Sequence, residues 1–439
     1  MASLAALACA APSAAAPGWN PPLEGAERTS HVPEQPRVGL DSAGNAAMAW
    51  TRFDPDSGMR VLETRIVPAA GPSGPAVRLS APGASAGAFD IAVAPDGRAV
   101  AVWEQDGQLV ASVRPPGGAF GAGQTLSKPA AENAAAAVVE LDADGDATVL
   151  WTTIQGSAWR VRTTTIDAGD VNGPTTLVHM EAAAQLNEPA LAVDPTGRAH
   201  GVWVRAQAGG GDRTTTVQRA YRPAGGGFAY QGDLDSFVES PYNMESPAGL
   251  RAPSVAVDRD GRAVAAWMRS GFPSIIRWSA GPAGGTWTAA ATLGGEATAG
   301  APLLAMSGAG EALIAGTSAA DTPRKLWVAR RPAGGTFGAQ ETVADAAVHT
   351  PADLAVGAGG ETVLTWLTLD GGDYRARGAY RSRPGAAWEE TALGATAPTF
   401  YSGTLLPTAA VNAGGHAAVA WSAGAPDTFH TLLARYEVA

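Results

Sequence analysis

Lysine is almost missing from this 439-residue chain: of 30 basic residues, only Lys128 and Lys325 are lysines. Cysteine is scarcer still, with Cys9 alone. That excludes an internal disulfide framework and any cysteine-clustered metal site. Positive charge is also short overall. A net charge of -11 and a sequence pI near 5.1 argue against nucleic acid and against anionic membrane surfaces as partners. No apolar run approaches the roughly 18 residues that a membrane-spanning helix needs, so membrane insertion is not expected. A 3.6-residue apolar period is missing as well, which excludes a helical solenoid.

What is abundant is glycine and proline, 55 and 32 residues, the composition of a chain with many turns. Hydrophobic residues still make up 46%, enough for a folded chain. The N-terminus reads "MASLAALACAAPSAAAPGW". An apolar stretch from Leu4 to Ala11 leads into Ser13-Ala14-Ala15, which predicts a signal peptide over 1–15 cleaved before Ala16. The mature protein is then secreted or at the cell surface, and cysteine-free. A lipid anchor on Cys9 is the alternative, although Ala6-Leu7-Ala8 fits a lipobox poorly.

The rest of the chain repeats one phrase. "AVAPDGRAVAVW" ends at Trp103, "AVDPTGRAHGVW" at Trp203, "AVDRDGRAVAAW" at Trp267 and "AVNAGGHAAVAW" at Trp421. The turn glycines Gly44, Gly97, Gly145, Gly197, Gly261, Gly310, Gly360 and Gly415 lie 48 to 64 residues apart. A period of this length, with two-residue alternation and glycine turns, marks a β-propeller. Each repeat reads as four strands, A to D. Expected blades cover about 37–80, 89–127, 137–178, 188–235, 252–294, 301–344, 351–394 and 406–439. The eighth lacks strand D, and residues 19–30 are expected to supply it, closing the ring and removing two exposed edges. The fold class is therefore all-β: an eight-bladed propeller in one domain over 16–439.

Tryptophan recurs at the end of strand B as Trp50, Trp103, Trp151, Trp203, Trp267, Trp366 and Trp421. Regular placement predicts packing between blades rather than stacking on a sugar. Gly316 stands in that place in the sixth repeat, which predicts a looser blade. Small apolar residues of strand A ("ALAV", "SVAV", "LLAM") are expected to line the central channel.

The C–D turns repeat too, as in "PAGGTWTAAATL" from Pro282 to Leu293. Gly285, Thr286 and Trp287 match the second half of the pattern Ser-x-Asp-x-Gly-x-Thr-Trp, at the same turn. In these turns the chain resembles the Asp-box of sialidase-like propellers, and as a whole it resembles bacterial secreted β-propeller repeat proteins. The Ser and Asp of the box are absent from every copy. The resemblance implies a propeller and an arginine triad, a Tyr-Glu pair and an acidic proton donor. No motif here places those groups.

Candidate site residues cluster where B–C and D–A connections meet, the face on which loops carry function. The D–A connection from Gln231 to Leu250 is the longest and offers Asp233, Asp235, Glu239, Tyr242 and Glu245. Paired carboxylates beside an aromatic suit glycoside hydrolysis, whereas Asp233 and Asp235 also read as exposed strand residues. Two positions after the strand B tryptophan stand Arg52, Arg205 and Arg269, fit to meet an acidic sugar. Asp373 and Tyr374 occupy another acidic connection. Asp142, Asp144 and Asp146 resemble part of a calcium loop, but calcium wants six to eight oxygens and other repeats lack the carboxylates. The histidines do not converge, and no cofactor motif is present. Three readings remain open: a monomeric binding module for an extracellular glycan or protein, a glycan-acting hydrolase or lyase, and a structural cell-surface repeat protein.

Overall fold

The computed structural model describes residues 18–24, 33–126, 132–168, 173–209, 211–239, 249–271, 273–295, 298, 300–321, 324–347, 351–370, 373–395, 406–424 and 428–438. The predicted signal peptide with Cys9, together with Tyr242 and Glu245, lies outside them. All regular structure among these residues is β, in eight antiparallel sheets. In seven sheets the strand order follows the chain, as in blade 5 with Gly249–Val257, Ala263–Ser270, Ile275–Gly281 and Ala291–Thr292. Strand A of each blade contacts strand A of the next, and that of blade 8 contacts that of blade 1, which completes an eight-bladed propeller.

The eighth sheet is built from both ends of the chain. Gly18–Trp19 and Leu23–Glu24 pair with His430–Glu437, with Gly18 opposite Glu437 and Trp19 opposite Tyr436. Trp19 meets Tyr436 edge-on at 5.6 Å, and Tyr436 stacks on Tyr380 of blade 7 at 3.7 Å. The closure expected of the N-terminal segment is thus made by backbone bonds and an aromatic seal.

The repeated A–B turn explains why one phrase is written so often. Each turn glycine takes a left-handed φ, 87° at Gly97 and 79° at Gly261, a conformation only glycine adopts cheaply. Where the residue after strand A is polar, its side chain folds over the turn: Asp142 Oδ1 accepts the amides of Asp144 and Asp146, and Asp258 Oδ1 those of Asp260 and Arg262. The turns also bond across blades. The Ser42 amide and hydroxyl donate to the Pro95 carbonyl at 2.9 and 2.6 Å, and Asn412 Nδ2 donates to the Asp41 carbonyl at 2.9 Å across the closing seam.

The core lies between blades, in clusters shared by neighbouring sheets. The seven strand B tryptophans are all 0% exposed, so each is seam core. The sixth blade departs from the expectation of looseness. Gly316 is the register partner of Trp327 on strand C. A Cβ on Gly316 would lie 2.5 Å from Trp327 Cζ2. The indole has changed strands within one cross-strand pair, and it fills the same volume.

Candidate functional site

Strand A faces the channel at alternate positions, and its lining is not uniformly apolar. Seven residues before the turn glycine stand Arg37, Asp90 and Asp353 in blades 1, 2 and 7. Five residues before it, where the other blades have alanine or glycine, blade 3 has Glu140. Asp90 Oδ1 accepts its neighbour's amide, Ile91, and Oδ2 accepts the Val139 amide of blade 3 at 3.1 Å. Asp353 repeats the arrangement, binding the Leu354 amide and the Ala409 amide of blade 8 at 2.8 Å each. The two aspartates are clasps between blades. Confinement raises both carboxyls, and the Arg37 guanidinium opposes that rise.

Glu140 has no such bonds. Its side chain remains accessible to channel water, but desolvation by the surrounding ring, with the Asp90 charge second, pushes its carboxyl up to about 8 from an ordinary 4.5. The folded ring therefore holds this proton after the unfolded chain has lost it, so stability falls as pH rises from about 4.5 to about 8. We expect Glu140→Gln to raise the thermal midpoint at pH 8 and leave it unchanged at pH 4. Equal midpoints at pH 8 would show that channel water solvates the carboxylate fully.

The arginines two positions after the tryptophans do not form one site. Arg52 pairs with Glu63 at 2.7 Å, Arg205 with Glu181 at 3.0 Å, and Arg269 lies over the Phe237 ring at 5.6 Å. Of the acidic candidates, Asp235 is no idle strand residue. It accepts the Trp267 indole N–H at 3.0 Å and pairs with Arg277 at 3.0 Å, latching blade 4 to blade 5. Asp233 accepts the Tyr230 hydroxyl at 2.7 Å. Glu239 ends strand D of blade 4 (Ala229–Glu239), opposite Arg213. That strand absorbs the first half of the long connection. Asp373 begins strand C of blade 7 (Asp373–Arg381), and Tyr374 packs on the core between blades 7 and 8. Asp146 Oδ1 accepts the Ala168 amide at 2.8 Å, and no cluster of three metal-ligating side chains occurs among the described residues.

One group of titratable residues does converge, in the seam of blades 3 and 4. His179 stacks on Tyr230 at 4.2 Å and its Nε2 meets Glu181 at 3.1 Å. Gln218 Nε2 donates to the Tyr230 oxygen and to Asp233, while its Oε1 accepts the Trp203 indole. Burial, with Asp233 second, raises the Tyr230 hydroxyl.

Beside this cluster lies a groove on the B–C/D–A face. It has two adjoining cavities of about 590 and 290 Å³, which share Ala206 and Arg213. The larger is walled by Trp159 and Gln185, the smaller by Asn187, Glu188 and Arg251. The long hairpin of blade 4, Ala199–Gly209 and Asp212–Arg222, rises between them. Trp159 is half-buried, and its register partner is Glu181. Sequence reasoning missed Trp159 and Arg213, which sit outside the tryptophan repeat and the long connection.

No protein-family model matches the chain, and no curated protein matches it in sequence. Among solved structures, a puromycin hydrolase is 16% identical over 90% of this chain, with a TM-score of 0.52, and the match spans 60% of that protein. A protein of unknown function from Dyadobacter fermentans is 13% identical over 73% of this chain and 96% of its own, with a TM-score of 0.42. A polysaccharide lyase is 11% identical over 77% and 87%, with a TM-score of 0.43. At these identities the likeness concerns the fold alone.

Proposed function

We propose that the protein is an exported carbohydrate-binding propeller whose ligand lies in the groove over blades 3 to 5. The observation that carries this reading is the pair of cavities itself: one half-buried indole, an exposed arginine, two amide side chains and a carboxylate line hollows that adjoin at Ala206 and Arg213. An indole face takes the apolar face of a sugar ring, while charged and amide groups take its hydroxyls and any carboxylate. Arg213 favours an acidic glycan. The apolar stretch from Leu4 to Ala11 supports export.

A glycan array probed with the full chain, with reducing-end release followed in the same wells, tests the reading. Trp159→Ala is expected to weaken binding about tenfold, the order of ~1.4 kcal/mol for one stacking contact. Arg213→Ala is expected to reduce preference for acidic glycans. Binding unchanged in both variants would place the ligand elsewhere. A second reading, a glycan-acting hydrolase or lyase akin to the sialidase-like propellers, draws support from the His179–Glu181–Tyr230–Asp233 cluster bordering the groove. Product release that is lost in Tyr230→Phe would favour it.

A further inference from the structure

The opposite face, formed by A–B and C–D turns, carries a separate cavity of about 280 Å³ in the seam between blades 5 and 6. Two other seams show how an arginine can fill this place. In the seam of blades 2 and 3, Arg98, the residue after the turn glycine, reaches across to donate to the Asp167 carbonyl at 2.7 Å and is 2% exposed. In the seam of blades 4 and 5, Arg198 reaches the Arg259 carbonyl at 3.1 Å, and His200, Tyr221 and Trp287 pack together behind it. Blade 5 has Arg262 at this position, but it turns outward to Asp260 at 2.6 Å and stays 60% exposed. The seam is left unplugged.

Arg331, at the end of strand C of blade 6 (Arg324–Arg331), lines this opening and is 9% exposed. Each of its counterparts bonds the protein through a terminal nitrogen, although their Nε atoms lack acceptors too. Arg114 donates to the Gly97 carbonyl, Arg222 to the Gly197 carbonyl at 2.7 Å, and Arg381 meets Glu341 at 3.5 Å. The Arg331 guanidinium differs in donating no hydrogen bond to any described residue, from its terminal nitrogens or its buried Nε, and it lies over the Trp278 ring at 5.6 Å. A buried guanidinium without an acceptor is costly, and an arriving anion would relieve that cost. Facing it are the apolar side chains of Val264, Ala280 and Met306, with the buried Asp258 carboxylate on the same wall.

We propose that this seam is a binding site for a small monocarboxylate with an apolar body, its carboxylate held by Arg331 and its body against Val264, Ala280 and Met306. The Asp258 carboxylate already offsets part of the Arg331 charge, so the site tolerates one further negative charge far better than two and discriminates against phosphate and dicarboxylates. It is independent of the glycan groove, which lies on the other face.

Isothermal titration of the full chain with sodium benzoate, and separately with sodium phosphate, tests the assignment. Benzoate is expected to bind saturably at one site and phosphate not to bind. Arg331→Met, which keeps the packing over Trp278, and Met306→Trp, which fills the cavity, should each weaken benzoate by about tenfold or more, equivalent to ~1.4 kcal/mol. Thermal melts report whether each variant folds, and Met306→Trp carries the test if Arg331→Met does not. Three results would overturn the proposal: no saturable benzoate binding at concentrations that fill a millimolar site, equal binding of phosphate, or wild-type affinity in the folded variants.

Discussion

Replacing Trp267 with alanine is expected to lower the unfolding free energy by about 3–5 kcal/mol, the range for removing a large aromatic from a packed core. Trp267 is fully buried in a cluster with Val217, Leu250, Val255 and Trp287. Its wall is largely β-sheet backbone and short side chains, including Ala192 and Ala265, which cannot collapse into the vacated volume. The indole N–H is also one of the donors that Asp235 needs; losing it leaves that carboxylate with Arg277 and the Ser236 amide. Urea unfolding should show a lower midpoint at an unchanged slope, as expected when stability changes but exposed surface does not. A midpoint equal to wild type would mean that the strand B indoles are not seam core. Trp267→Phe should recover part of the loss, since it restores volume and not the hydrogen bond.

The sixth blade offers a sharper test, because there the indole sits on the other strand. Trp327→Leu alone should cost about 2 kcal/mol or more as a cavity opens beside Gly316. Gly316→Trp alone should also destabilise, by about 1–3 kcal/mol or more, because the new side chain meets Trp327. The double variant recreates a pairing that blade 8 already uses, where Trp421 stands opposite Leu432. It should lie within about 1 kcal/mol of wild type, with a coupling of roughly 2–3 kcal/mol between the two sites. Strict additivity of the two costs, measured by the same denaturant series, would show that the two indole positions do not share one volume.

The ring was legible from the sequence because its two strongest constraints are local. A turn that requires glycine, and an indole six residues beyond it, recur in register with the blades. The closure by Gly18–Glu24 was legible for the complementary reason, an eighth repeat with three strands and an N-terminal segment that reads like the fourth. What the residues did not disclose is anything that depends on which blade faces which. Asp90 and Asp353 look like solvated charges until the neighbouring amides of Val139 and Ala409 are placed beside them. Their shared position seven residues before the turn glycine was a usable signal, as was Glu140 at an alanine position. Asp235 reads as exposed because its partners Trp267 and Arg277 belong to the next blade. Trp327 was hidden by looking for an indole on strand B and not across the pair. Trp159, which the groove argument rests on, has no local feature that separates a lining tryptophan from a packed one.

The pairing of Gly18 with Glu437 has a mechanical consequence. The two ends of the ring leave the eighth sheet side by side from one end of an antiparallel pair. Tension between them would load the backbone bonds one after another, as a zipper is drawn, and not all at once as in shear. The bond from the Asn20 amide to the Arg435 carbonyl and the Trp19–Tyr436 ring contact beside it would be reached almost immediately. Pulled from its ends, the circle has its weakest link where it was joined, and every other blade is shielded until that joint has parted.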